Sequence, residues 1–91
     1  MGKAKVLTAP GRFYSRTAHG EAELLYDVSV KGTMRIYHTY VPDGDRGLGM
    51  ADALARVAFR FAKANGMKVK PDCPYITHFL KVNKGMRKYL V

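Results

Sequence analysis

The spacing of apolar residues changes near residue 42, and this change constrains the fold more than any other feature of the chain. Residues 33–41 alternate with a period of two and are rich in β-branched and aromatic side chains, which is typical of a strand. From Leu48 the apolar residues recur at helical spacing instead. Because Pro42-Asp43-Gly44-Asp45 separates the two patterns, the sequence predicts a strand, a sharp break and then an amphipathic helix.

Two further strands are predicted before this break. Residues 12–16 and 21–28 have strand character, and the turn residues Ala18-His19-Gly20 lie between them. The second of these strands is predicted to stop near Lys31-Gly32. Joined by tight turns, the strands 12–16, 21–28 and 33–41 should form an antiparallel meander.

A strand and a second helix are predicted after the break. The first helix should end at Asn65-Gly66, because glycine suits the left-handed position after a helix. Residues 67–70 form a short strand, and a strand after a crossover helix usually runs parallel to its neighbour. Pro74 is predicted at the first position of a helix that ends near Val82.

The resulting order is βββαβα, an α/β fold with a mixed, mostly antiparallel sheet and two helices. The 91 residues suit a single domain spanning 1–91. Its peripheral ends are residues 1–10 and 83–91, and we expect Tyr89-Leu90-Val91 to pack back on the domain.

The charge is strongly positive, with 16 Lys and Arg against 7 Asp and Glu and a formal net charge of +9. Such an excess attracts nucleic acid, acidic membranes or phosphorylated small molecules. The cations are dispersed as single residues, although the last third of the chain is the densest part and has Asp72 as its only acid. The sequence therefore predicts no basic tail.

Cys73 is the only cysteine, which excludes an internal disulfide and a cysteine cluster for zinc. No metal site is predicted. The N-terminus lacks the apolar run of a signal peptide, and no stretch approaches the roughly 20 apolar residues of a membrane span. We therefore expect a soluble, cytoplasmic protein with no membrane partner.

The segment Arg46-Gly47-Leu48-Gly49-Met50-Ala51 has the residues that a pyrophosphate needs. A helix begins with unpaired N–H groups and a partial positive charge. Gly47 and Gly49 let the backbone approach an anion and adopt positive φ angles, and Arg46 can add a charge-assisted hydrogen bond. Taken alone, the two glycines favour a plain strand-to-helix turn over an anion site.

Two other phosphate-binding motifs are excluded. The P-loop requires four residues between its glycines and a Gly-Lys-Ser/Thr ending, which are missing here. The dinucleotide fingerprint fails because Asp52 occupies the position of its third glycine.

The segment matches Arg/Gln-x-x-Gly-x-Gly/Ala, the acyl-CoA pyrophosphate motif of the GNAT superfamily of N-acetyltransferases. Together with His38-Thr39-Tyr40-Val41-Pro42 and Pro71-Asp72-Cys73-Pro74-Tyr75, it resembles the minimal, single-domain GNAT-like family over roughly residues 12–82. The resemblance implies a GNAT-like fold and acetyl-CoA as cosubstrate. The residues that it implies for cofactor binding are Tyr40, Val41, Arg46, Gly47, Leu48, Gly49, Met50 and Ala51. The chain departs from the family after Val82, where Asn83-Lys84-Gly85-Met86 replaces a His-Pro or Asn-Pro pair.

Cys73 and His38 are the candidate catalytic residues. As the residue before Pro74, Cys73 should be the N-cap of the second helix, where a thiolate meets positive charge. His38 could take a proton from an amine or from Cys73. On residues alone each could be structural: a lone cysteine is often a small buried hydrophobe, and strand alternation places His38 with Met34, Ile36 and Tyr40.

The resemblance favours catalytic roles for both residues. It implies direct attack of an amine on the thioester, with a backbone N–H near Thr39 or Tyr40 holding the oxyanion. Cys73 would then protonate the departing CoA, or else carry the acyl group itself with His38 as base. His19 and His78 are assigned as structural or surface residues.

Two other functions compete with acetyl transfer to an amine. A basic nucleic-acid-binding module would use the net charge and an exposed surface of Tyr14, Tyr37 and Tyr40, but the chain has none of the common nucleic-acid-binding signatures, and this partner is less favoured. The second competing function is that of a CoA-binding protein that catalyses no reaction. The acceptor, a small molecule or a protein lysine, is not identified by the sequence, and neither is the oligomeric state.

Overall fold

The computed structural model describes residues 5–30 and 32–90. The elements in chain order are β1 (Leu7–Ala9), β2 (Arg12–Thr17), β3 (Gly20–Val30), β4 (Thr33–Tyr40), a 3₁₀ helix at Asp43–Asp45, α1 (Met50–Ala64), β5 (Lys68–Pro71), α2 (Pro74–Val82) and a second 3₁₀ helix at Lys84–Tyr89. The predicted stop at Lys31 and the predicted packing of Val91 lie outside the described residues.

The five strands form one sheet in the order β1-β2-β3-β4-β5. Neighbours from β1 to β4 are antiparallel, and β5 lies parallel to β4 with Thr33 opposite Lys68 and Ile36 opposite Pro71. The predicted α/β class, mixed sheet, meander and parallel crossover strand are therefore confirmed.

Both helices pack on one face of this sheet, where the buried apolar residues form a single cluster. Phe13 stacks on Tyr26 with ring centroids 5.2 Å apart, and Phe61 of α1 meets Phe13 edge-on at 5.5 Å. The ring centroid of Phe79, on α2, lies 5.6 Å from the ring centroid of Phe59, on α1. These aromatic contacts pack α1 on the sheet and α2 on α1, within the same core cluster.

The structure differs from the sequence prediction at β1, in the tail and at the start of α1. β1 was missed because the three residues Leu7–Ala9 are too few to show a period. The tail forms a 3₁₀ helix, and the prediction that it packs back is confirmed because Tyr89 and Leu90 contact the core and Leu90 bridges to Val69. Leu48 was wrongly included in the apolar helical pattern: α1 begins at Met50, and Leu48 is 68% exposed in the loop before it.

A bulge in β4 changes which side chains face the helices. Leu25 pairs with His38 while Tyr26 pairs with Ile36, so Tyr37 is an extra residue in the ladder. Met34 and Ile36 are fully buried, whereas the His38 side chain is 47% exposed and Tyr40 is 46% exposed. The predicted alternation of β4 is therefore wrong beyond Ile36, and Thr39 takes the helix-facing side in place of His38.

Candidate functional site

A cavity of about 400 Å³ lies where the end of β4 meets the beginnings of α1 and α2. Its lining residues are Thr39, Val41, Asp45, Arg46, Gly47, Gly49, Met50, Ala51, Asp52 and Tyr75. The cavity opens here because β5 stops pairing with β4 at Ile36, so the last part of β4 has β3 as its strand neighbour on one side and a gap on the other. Strand separation of this kind leaves backbone N–H and C=O groups free to bind a ligand.

The glycine loop brings the first turn of α1 to this cavity. Gly47 has φ +84° and Gly49 has φ +81°, in the left-handed region that side chains other than glycine rarely adopt. Gly49 is the N-cap, and Ala53 N–H donates the first bond of α1 to its carbonyl at 3.0 Å. The amides of Met50, Ala51 and Asp52 precede that bond, so they lie at the cavity as potential donors to an anion.

Arg46 lies over the start of the loop. Its Nε donates to the Val41 carbonyl at 3.2 Å and its Nη2 lies 3.3 Å from an Asp43 carboxylate oxygen. The side chain is 63% exposed, so the guanidinium ties the strand end to the loop while part of it still faces solvent. Both contacts favour a closed loop with a positive charge at the cavity mouth.

Asp45 anchors the turn before the loop and was not singled out from sequence. It is 3% exposed, receives the His19 N–H at 3.3 Å, and its other oxygen lies 3.0 Å from His19 Nδ1. The hydrogen bond from the His19 side chain and a second from Thr17 hold the pKa of Asp45 below its usual value. His19, assigned from sequence as a structural or surface residue, connects the β2–β3 turn to the turn before the glycine loop through this contact.

Cys73 is the N-cap of α2 with Pro74 at the first helical position, as predicted. The thiol is 4% exposed and donates to the Thr39 hydroxyl at 3.3 Å. Since Thr39 lines the cavity, the thiol is one side chain away from it. Thr39 was assigned only a backbone role from sequence, because simple alternation directs its side chain away from the helices.

His38 lies on the opposite face of β4 from Cys73. Its Nε2 is 3.8 Å from a Glu23 carboxylate oxygen, and the other oxygen of Glu23 accepts from Arg12 Nε at 2.8 Å. The structure therefore joins Cys73 to the cavity through Thr39 but does not bring His38 and Cys73 together. A proton transfer between these two side chains has no support from this geometry.

The remaining predicted cofactor residues are placed as follows. Val41, Arg46, Gly47, Gly49, Met50 and Ala51 line the cavity, whereas Tyr40 and Leu48 do not. Tyr75 and Asp52 complete the wall; burial, and then the negative charge of Asp52, raise the pKa of the Tyr75 hydroxyl. Asp52 is paired with Arg56 at 2.8 Å, which offsets its charge near the amides of α1.

The described residues include no group of three or more His, Cys, Asp or Glu side chains that could hold a metal ion. Across those same residues, every helix is too short or too polar to span a membrane.

The sequence pattern of GCN5-related N-acetyl-transferases matches residues 12–89, which includes the whole of this cavity. The chain belongs to this family. Protein NATD1 of Xenopus tropicalis is 40% identical over 65 residues, which cover 71% of this chain and 60% of that protein. Protein NATD1 of Homo sapiens is 38% identical over 65 residues, 71% of this chain and 58% of that protein. The chain thus spans less than two thirds of the length of these relatives.

The fold is also that of a solved relative. The solution structure of a GCN5-like protein from Staphylococcus aureus superposes with a TM-score of 0.76 over 100% of this chain and 91% of that chain, at 22% identity. At this level of identity the likeness shows the fold, and it confirms the predicted GNAT-like architecture.

Proposed function

We propose that the protein transfers an acetyl group from acetyl-CoA to a primary amine. The observation that carries this proposal is one continuous cavity. It extends from the backbone amides of residues 50–52 to Thr39, and the Thr39 hydroxyl contacts the thiol of Cys73. Membership of an acetyltransferase family makes acetyl-CoA the expected donor.

The pyrophosphate of CoA would bind at the glycine loop. Amides of the first turn of α1 donate to its oxygens, and Arg46 supplies a positive charge at the mouth of the cavity. The volume of about 400 Å³ suits part of a cofactor, so the pantetheine arm would occupy it between Val41 and Tyr75 while the adenosine stays outside.

The pantetheine arm carries polar amide groups that need partners once they leave water. β4 beyond Ile36 offers them, because the backbone groups on its β5 side have lost their neighbouring strand. The thioester would then lie near Thr39 and Tyr40, and a backbone N–H at that point would stabilise the developing oxyanion.

The positions of Cys73 and His38 favour direct transfer. The amine nitrogen attacks the thioester carbonyl, the C–N bond forms, and the C–S bond breaks with release of the CoA thiolate. The Thr39 hydroxyl would give its proton to that thiolate and take one in turn from Cys73, which donates to it at 3.3 Å on the donor side of β4. His38, on the exposed face, would take the proton that the amine loses, and Glu23 would stabilise the resulting imidazolium.

Thermal unfolding with and without acetyl-CoA tests donor binding. A ligand at 100 times its Kd adds about 2.7 kcal/mol, which should raise the Tm of so small a domain by several degrees. Arg46→Glu should abolish this rise. Arg16→Glu is the matched control, because it makes the same charge change at a side chain that is 77% exposed on β2, and it should keep the rise.

Transfer itself is tested by the release of free CoA thiol in the presence of a polyamine and of a lysine-rich peptide. Absence of any thermal shift would refute the proposal. A shift without thiol release from any amine would reduce it to CoA binding without catalysis.

A further inference from the structure

Cations that are dispersed in the sequence come together at one end of the fold. We use the term basic end for five exposed side chains on β5, α2 and the second 3₁₀ helix: Lys68, Lys81, Lys84, Arg87 and Lys88. Lys68 Nζ donates to the Lys88 carbonyl at 3.2 Å, and Leu90 bridges to Val69, so strand and tail are held side by side. The lack of a basic run in the sequence is therefore no argument against a basic surface.

The acidic residues of the protein are engaged elsewhere. Each Asp and Glu lies within 4 Å of a basic side chain outside the basic end. Arg12 contacts both Glu21 and Glu23, and Arg35 contacts both Asp27 and Asp72. Asp43 pairs with Arg46, Asp45 with His19, and Asp52 with Arg56. Between Asp72 and Leu90 the described chain has no acidic side chain, so no carboxylate within α2 or the tail offsets the positive charge of the basic end.

Most of the basic end lies away from the acetyl-CoA cavity, and the link between them is Arg56, which donates to Asp52 of the cavity wall and to Asn83, beside Lys84, at 2.8 Å each. β4 and β5 run parallel, and Lys68 pairs with Thr33 at the start of β4, while the cavity lies at its end. α2 begins beside the cavity at Cys73, and its 9 residues carry the chain about 13 Å away before the tail starts. A ligand on the basic end should not compete with CoA.

The apolar residues around these cations argue against a membrane. Binding to a bilayer requires an apolar face beside the basic one. Ile76, Phe79 and Leu80 of α2 are buried in the core, and Met86 of the tail packs against it. Val82, which is 70% exposed, is a single residue and forms no such face.

The aromatic residues argue against single-stranded nucleic acid, which binds by stacking on exposed rings. Tyr89 is half-buried, and the ammonium of Lys88 lies 5.4 Å from its ring centroid. A surface that carries positive charge but has no exposed rings for stacking and no apolar face suits a ligand with regularly spaced phosphates. We propose that the basic end binds the sugar-phosphate backbone of a nucleic-acid duplex without reading its sequence.

The test is binding of a fluorescein-labelled DNA duplex of about 20 base pairs, followed by anisotropy between about 50 and 200 mM salt. The variant Lys81→Gln, Lys84→Gln, Lys88→Gln removes three charges from the basic end. Its plot of log K against log salt should be less steep by up to about 2.7, and its affinity at least tenfold weaker at low salt. The matched control Lys5→Gln, Arg16→Gln, Arg60→Gln removes the same charge from exposed side chains before β1, on β2 and on α1, and should bind nearly as the wild type.

Four results would overturn the proposal: no binding by the wild type, equal losses in the two triple variants, displacement of the duplex by acetyl-CoA, or preference for anionic lipid vesicles over the duplex. Equal losses would mean attraction by net charge alone. Displacement would place the DNA phosphates in the CoA cavity. All of these outcomes are independent of whether the protein transfers acetyl groups.

Discussion

The two helix N-termini at the cavity have different cap geometries, left-handed at Gly49 and extended at Cys73, and they differ in what they offer a ligand. α1 starts at Gly49 with a glycine loop, an arginine and amides that line the cavity. α2 starts at the buried Cys73 with Pro74, which has no N–H to donate, and the amides of Ile76 and Thr77 return to the Cys73 carbonyl at 3.0 and 3.3 Å. The start of α1 is thus open to an anion, whereas α2 holds a thiol against Thr39.

Under the proposed function, this difference assigns cofactor binding to the start of α1 and proton transfer to the start of α2. Substitutions at the start of α1 should change the affinity for acetyl-CoA, and substitutions at the start of α2 should change turnover. The three predictions below test that separation, beginning with the largest effect.

Cys73→Ala should lower acetyl transfer by about 100-fold or more, the usual contribution of a group that moves a proton in the transition state. The thermal shift with acetyl-CoA should persist, because the amides of α1 are unchanged. The folded state should lose only about 1 kcal/mol, since one buried sulfur atom is removed. Initial rates of CoA thiol release and unfolding curves measure the two effects.

Cys73→Ser is the companion variant, because its hydroxyl can keep the bond to Thr39. If both variants retained nearly full activity, Cys73 would be excluded both as a proton donor and as an acyl carrier. If instead both variants lost activity and the thermal shift together, the start of α2 would contribute to cofactor binding. The assignment of binding to α1 and chemistry to α2 would then be wrong.

Gly49→Ala should cost about 1–2 kcal/mol of stability, because alanine must adopt φ +81° there. It should also weaken acetyl-CoA binding, since relief of this strain moves the first turn of α1. Gly32 is the matched control: it has φ +82°, open space around it, and lies far from the cavity at the β3–β4 turn. Gly32→Ala should show the same loss in urea denaturation with unchanged acetyl-CoA affinity, and equal weakening in both variants would contradict the proposed role of the loop.

Asp45→Asn tests how the glycine loop is anchored and should have the smallest effect. The folded-state pKa of Asp45 is lowered, so its ionised form contributes stability above the unfolded-state value of about 3.9. That contribution is lost as the pH falls through the lower folded-state pKa. Unfolding free energies measured from pH 6 to pH 2 should therefore fall less steeply in the variant, and identical slopes would show that the His19 contact adds nothing.

The sequence predicted most of the fold because its helices and central strands are long enough to show a period. Met34 and Ile36 obey the alternation of β4, and Ala58 and Ala62 obey the helical spacing of α1. It also predicted the glycine loop and the cap position of Cys73, since both depend on residues that are adjacent in the chain.

The parts of the site that it missed depend on contacts between distant residues. The bulge at Tyr37 reverses the faces of His38 and Thr39, and no residue type in that strand signals it. The anchor between His19 and Asp45 joins two turns that are 26 residues apart. A single sequence contains no distance between such residues, so periodicity and capping rules cannot reveal these contacts.

The contact between Cys73 and Thr39 has a consequence for the order of folding. The two residues are 34 positions apart, whereas the meander from β1 to β4 forms by pairing of neighbouring segments. Local pairings close small loops and form early, and distant ones close late. The protein should therefore pass through a stage with most of its sheet in place and no finished site, and a nascent chain released before residue 73 should be unable to perform its chemistry.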